Sequence, residues 1–101
     1  MYGDDIIYDT TPETIVGPQL GEKEPYVVEL IPGDRYRINY GIHQGIFRYE
    51  GKVKDNATNR KNHPHSIGEC LFRDEQTGKL SFGYYPHVSP CEFTRICTKI
   101  H

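Results

Sequence analysis

Ser89-Pro90-Cys91-Glu92-Phe93-Thr94-Arg95-Ile96-Cys97-Thr98-Lys99-Ile100 admits two conformations, and the choice between them decides what kind of domain this chain forms. As a helix the segment is well marked. Ser89 stands at the N-cap, Pro90 suits the first helical position and Glu92 completes a capping box. Phe93, Ile96, Cys97 and Ile100 then fall at i, i+3, i+4 and i+7, one apolar stripe, with Arg95 and Lys99 toward the negative C-terminal end. As a strand it is equally well formed. Thr94, Ile96, Thr98 and Ile100 alternate, and β-branched residues are mediocre helix formers. One helical turn at residues 89–92 followed by a closing strand satisfies both patterns.

Upstream, the periodicity is that of strands. Tyr26-Val27-Val28-Glu29-Leu30-Ile31 is a β-branched and aromatic run that stops at the turn signal Pro32-Gly33-Asp34. Tyr36, Ile38 and Tyr40 alternate with Arg35, Arg37 and Asn39, which predicts a strand with one buried face. Gly41 and Gly45 bracket Ile42-His43-Gln44. Ile46-Phe47-Arg48-Tyr49 reads as the next strand, with Glu50-Gly51 as a turn or bulge. Residues 55–66 read as a polar loop. Cys70–Arg73 and Leu80–Tyr85 flank a five-residue hairpin connection, Asp74–Gly78. About five strands in 77 residues predict a mainly β fold, a small SH3-like or OB-like barrel or a twisted antiparallel sheet, with one short C-terminal helix or helical turn.

Residues 1–24 differ in character. They hold six acidic residues against Lys23 alone, a net charge of −5, whereas residues 25–101 hold 11 basic and 8 acidic residues. With Pro12, Gly17, Pro18 and Gly21 and only two short apolar pairs, residues 1–24 read as a flexible acidic arm before a single β-rich domain at 25–101. Such an arm could fold onto a partner or lie back over the mildly basic domain.

At 101 residues there is room for one domain. Hydrophobic residues make up 36% of the chain, mean hydropathy is −0.69, and no apolar run approaches the ~20 residues that cross a bilayer. The first residues lack the basic start and apolar stretch of a secretory signal. Three cysteines, an odd number, suit a reducing compartment better than a disulfide framework. These features predict a cytoplasmic protein. A net charge of −2 does not point to nucleic acid, although Arg48, Lys52, Lys54, Arg60 and Lys61 form a basic patch. His63, His65, Cys70, His87 and Cys91 lack any paired C-x-x-C or H-x-x-x-H spacing, so no metal site is predicted. No sequence feature implies a cofactor.

Two functions remain open. In the first, the helix places Cys91 in its first turn, off the apolar stripe, where unpaired N–H groups stabilise a thiolate. His43, beside two glycines, is the candidate base. His43-Gln44-Gly45-Ile46-Phe47-Arg48-Tyr49-Glu50-Gly51-Lys52-Val53-Lys54-Asp55, after Pro32-Gly33-Asp34, resembles the His box of lecithin retinol acyltransferase-like proteins, permuted relatives of the NlpC/P60 peptidases. Pro90-Cys91-Glu92-Phe93 resembles their later Cys motif. The resemblance implies a thiol acyltransferase or hydrolase with Cys91 as nucleophile, His43 as base and Asp55 as orienting group. Pro90 replaces the family's Asn, and Asp55 stands where a second His is usual.

In the second, Gly83-Tyr84-Tyr85-Pro86-His87-Val88-Ser89-Pro90-Cys91-Glu92-Phe93 is similar to the way SH3-like barrels end. A strand with an aromatic leads to one turn around a Pro and an acidic residue, and then to a closing segment. That resemblance implies a non-enzymatic module that binds a protein partner. Tyrosine suits such surfaces because it supplies area with a polar handle. Tyr36, Tyr40, Tyr49, Tyr84 and Tyr85, with Arg48 and Lys52, are the candidate contact residues. A compact, tail-bearing chain of this kind suits a phage or viral accessory protein acting on a host partner.

Overall fold

Arg35–Tyr40 has the alternation of a half-buried strand, and the fold grows from it. Tyr36 and Ile38 are buried while Arg35, Arg37 and Asn39 face outward. The computed structural model describes residues 5–18, 21 and 24–100. Along them run β1 (Tyr8–Asp9), β2 (Glu13–Gly17), β3 (Tyr26–Leu30), β4 (Arg35–Tyr40) and β5 (His43–Val53). Helix α1 (Ala57–Asn62), β6 (Cys70–Asp74), β7 (Leu80–Tyr84), helix α2 (Pro90–Ile96) and β8 (Cys97–Lys99) follow. The chain is mainly β, with every strand pairing antiparallel.

The larger sheet has the order β7-β6-β5-β4-β8. β5 is long enough to take β4 along its first half and β1 at its far end, on the same edge, while β6 lies along the other edge. Its register shifts between Tyr49 and Gly51. This is the bulge that Glu50-Gly51 predicts, and it bends the strand. β2 and β3 form a separate two-stranded sheet. The larger sheet curls but does not close into a barrel. Among the described residues its outermost strands, β7 and β8, pair only with β6 and β4.

The curled sheet and α2 enclose a core dominated by rings: Tyr36, Phe47, Tyr49, Phe72, Phe82 and Phe93. Tyr36 joins the two sheets. Its hydroxyl donates to the Glu29 carbonyl at 2.6 Å and accepts the Ile31 N–H at 2.8 Å, both on β3 or just past it. Residues 90–100 take both conformations available to them. Pro90–Ile96 is helical, Cys97 turns extended at the C-cap, and β8 then pairs with β4.

Two expectations need correction. Residues 5–18 do not form a free arm: β1 pairs with β5, β2 pairs with β3, and Ile6 and Ile15 are buried. Charge contributes, since Glu13 pairs with Lys52 and Asp5 lies 2.9 Å from His63. The rest of the segment expected as an arm, residues 1–4, 19, 20, 22 and 23, lies outside the described residues apart from Gly21 and Glu24. The polar loop at 55–66 contains α1, whose N-cap Asn56 accepts the Asn59 N–H at 2.8 Å. Asn59 is fully buried, accepts from Ile7 N–H at 3.1 Å, and donates to the carbonyls of Ile7 and Lys54 at 2.7 and 2.8 Å. A polar residue thus anchors the leading segment. Among the described residues no helix is long and apolar enough to cross a membrane.

Candidate functional site

The β4–β5 hairpin pairs Tyr40 with His43 across a two-residue connection, Gly41-Ile42. Gly41, at φ +58°, takes the left-handed backbone that the first position of such a tight turn requires. The turn carries Ile42 to its apex with 93% of its surface exposed. An isoleucine there contributes nothing to the core.

Beside this hairpin the curl of the sheet gathers aromatic rings. Tyr40 meets Tyr84 edge to face at 5.8 Å and lies 5.9 Å from Phe82. The His43 ring packs on Phe82 at 5.1 Å, and Tyr84 continues the row to Phe93 on α2 at 5.3 Å. After β7, Val88 N–H donates to the Tyr85 carbonyl at 3.0 Å, closing a turn over the buried Pro86. The turn projects Val88, 72% exposed, alongside Tyr40 and Tyr84. The result is a shallow groove lined by Tyr40, Tyr84, Tyr85 and Val88, with Glu69 and Glu92 as its charged groups.

Polar contacts fix this surface. The Tyr84 hydroxyl donates to a Glu92 carboxylate oxygen, and the Tyr85 hydroxyl donates to the His65 carbonyl at 2.6 Å. Burial, followed by the Glu92 contact, pushes the Tyr84 phenol above its ordinary range. Burial does the same for Tyr85. Both rings are therefore neutral donors at physiological pH.

The candidate contact residues divide. Tyr40, Tyr84 and Tyr85 come together in the groove. Tyr36 and Tyr49 do not reach any surface, since each is 0% exposed and packs in the ring core. Their alternation marked the buried face and not a contact face. Lys52 is held by Glu13, and Arg48 lies 4.0 Å from Glu75, on a different part of the sheet. Ile42, Val88, Glu69 and Glu92 were not singled out as contact residues in the sequence. The available signal was an apolar side chain at each of two turns, where packing has no use for it.

Of the residues expected to form a thiol relay, Cys91 and Asp55 bond elsewhere and the His43 ring packs on Phe82. Cys91 does occupy the first turn of α2, but its Sγ lies 3.5 Å from the Pro18 carbonyl. Asp55 forms a bidentate pair with Arg60. It sits beyond the far end of β5 from His43, roughly 35 Å of strand away, so it cannot orient that ring. No hydrogen bond joins Cys91 to His43 among the described residues, and a nucleophile and base need such reach. Among the described residues no three His, Cys, Asp or Glu side chains converge as metal ligands.

No protein-family model matches the chain, and neither a curated protein nor a solved structure matches it. The aromatic groove stands on its own geometry.

Proposed function

We propose that this chain is a non-enzymatic protein-binding module, and that the groove of Tyr40, Tyr84, Tyr85 and Val88 takes an apolar partner segment carrying a lysine or arginine. The observation that carries this is the exposure of Ile42 and Val88 at the two turns flanking the Tyr40–Tyr84 pair. Large apolar side chains held out by well-formed turns beside aromatic faces are what an interface core requires. Glu69 and Glu92 are the charged residues lining the groove, and their sign favours a basic residue, which the ring faces also attract. The order β8-β4-β5-β6-β7, with a helix leading into a last strand that returns beside β4, supports the finer reading as an SH3-like domain with an open barrel.

The test is selection from a displayed peptide library on the wild-type chain, followed by fluorescence anisotropy of the selected peptides against a Tyr40→Ala/Val88→Ser variant. The peptides are expected to share apolar residues with a Lys or Arg, and to bind the variant at least tenfold more weakly. Equal affinity for both proteins would remove the groove from the function.

A further inference from the structure

β7 lies at one edge of the larger sheet, and among the described elements only β6 runs alongside it. Its last two residues, Gly83 and Tyr84, line the aromatic groove together with Tyr40, Tyr85 and Val88.

A strand turns successive residues to opposite sides, so the bonds already made show which backbone groups this edge leaves open. Asp74 N–H donates to the Lys79 carbonyl at 2.9 Å, and Glu75 N–H donates to the Ile46 carbonyl at 3.1 Å. Asp74 therefore faces the β7 side and Glu75 the β5 side. Counting back along β6, Phe72 and Cys70 face β7 as Asp74 does. Their partners are Phe82 and Tyr84, whose N–H and C=O are spent on β6. Gly83, between them, turns both of its groups away from β6, and no backbone bond meets them among the described residues. Gly83 also lines the groove, so they open into it. A glycine at such a position lets another backbone approach closely.

The open stretch is short. The β6–β7 register shifts between Phe72 and Arg73 and leaves Ser81 as the extra residue of a bulge, which ends the pairing an edge can offer. At the other end the chain leaves β7 for the turn at Tyr85–Val88. The groove itself holds about 350 Å³, room for a few residues.

Resting on the reading of this groove as a protein-binding site, we propose that its occupant is an extended partner segment that adds to β7 as a short edge strand and exchanges main-chain hydrogen bonds with Gly83. Strand addition takes affinity from the backbone and specificity from alternate side chains. Positions i and i+2 of the segment share one face, so its apolar residues recur with period two along Tyr40, Tyr84 and Val88. A helical occupant would repeat at i+3 and i+4 instead, and a polyproline one at i+3. The sign of Glu69 and Glu92 selects lysine or arginine for the charged position.

The probes are peptides selected on the wild-type chain, and copies of each N-methylated at one residue at a time. The selected sequences are expected to show apolar residues at i and i+2. Methylation at the residue opposite Gly83 should weaken binding at least tenfold, while methylation of either neighbour changes it less than threefold. Gly83 amide exchange, read by NMR, should slow at least tenfold in the saturated complex. The proposal is overturned if peptides that still require Tyr40 and Val88 tolerate methylation at every position and leave Gly83 exchange unchanged; the groove then keeps a partner that is not a strand. Peptides that bind Tyr40→Ala/Val88→Ser as tightly as wild type remove groove and strand together. Gly83 protection that rises with protein concentration in the absence of peptide overturns the proposal by making a second copy of the chain the occupant.

Discussion

Tyr40 on β4 and Tyr84 on β7 stand ring to ring, 5.8 Å apart at 84°, although two strands separate theirs in the sheet. The contact measures how far the sheet has curled. It also leaves Tyr40 40% exposed at the rim, while its neighbour Phe82 is 3% exposed beneath.

That contrast separates a contact residue from a core residue. Phe82→Ala should cost about 3–5 kcal/mol, the usual loss for a buried ring, and Tyr40→Ala less than half as much. Urea denaturation of both variants decides it; equal losses would make Tyr40 a core residue.

Asn59 ties Ile7 to α1 through hydrogen bonds in both directions. Asn59→Leu strands the Ile7 N–H and two carbonyls, and should destabilise by about 2–4 kcal/mol. Amide exchange at Ile7 should rise with it. A loss below about 1 kcal/mol would show that the segment is held by other contacts.

Gly17 lies against α2 so closely that an added Cβ would sit 2.0 Å from Thr94 Oγ1 and 3.1 Å from the Pro90 carbonyl. Gly17→Ala should destabilise by about 1–3 kcal/mol through overpacking. Adding Thr94→Ala removes the nearest obstacle and should recover part of that loss. Additive effects in the double-mutant cycle would mean that the backbone shifts instead.

Much of the fold was legible in the sequence. Alternation at Tyr36, Ile38 and Tyr40 placed β4, and Pro90 followed by β-branched residues marked a helix giving way to a strand, although the helix runs on to Ile96 rather than ending near residue 92 and Ser89 makes no side-chain cap. The leading segment was not legible. Ile15 and Gly17 become informative only once α2 supplies a surface, and such distant packing leaves no local periodicity. Asn59 was hidden for a related reason, since a polar residue enters a core only when backbone partners await it. Within the candidate site, three tyrosines were legible. Sequence period could not tell rim from interior at Tyr36 and Tyr49.

The thiols give a pH prediction. Burial raises Cys70 from an ordinary value of 9.0 to about 11 and Cys97 to about 12. Burial likewise raises Tyr36 from 10.0 to about 12. Each group holds its proton more tightly folded than unfolded, so its contribution is complete below about pH 9 and is lost as pH rises toward 12. Stability should therefore fall across that window, and less steeply in Cys97→Ala. Alkylation followed by mass spectrometry at pH 8 should label Cys91 first, with Cys70 and Cys97 reacting only in denaturant. An unchanged Cys91 rate in His43→Ala is expected from their separate contacts.

The pairing of β8 with β4 also bears on how the chain is made. β4, β5, β6 and β7 leave the ribosome before β8 does, so the outer edge of β4 stays uncovered until residues 97–99 have cleared the exit tunnel. Throughout that interval the nascent sheet carries an unpaired edge beside an incompletely covered aromatic core, the state in which growing chains stick to one another. Truncation before residue 97 should yield protein that accumulates in inclusion bodies, whatever the fate of the partner-binding surfaces.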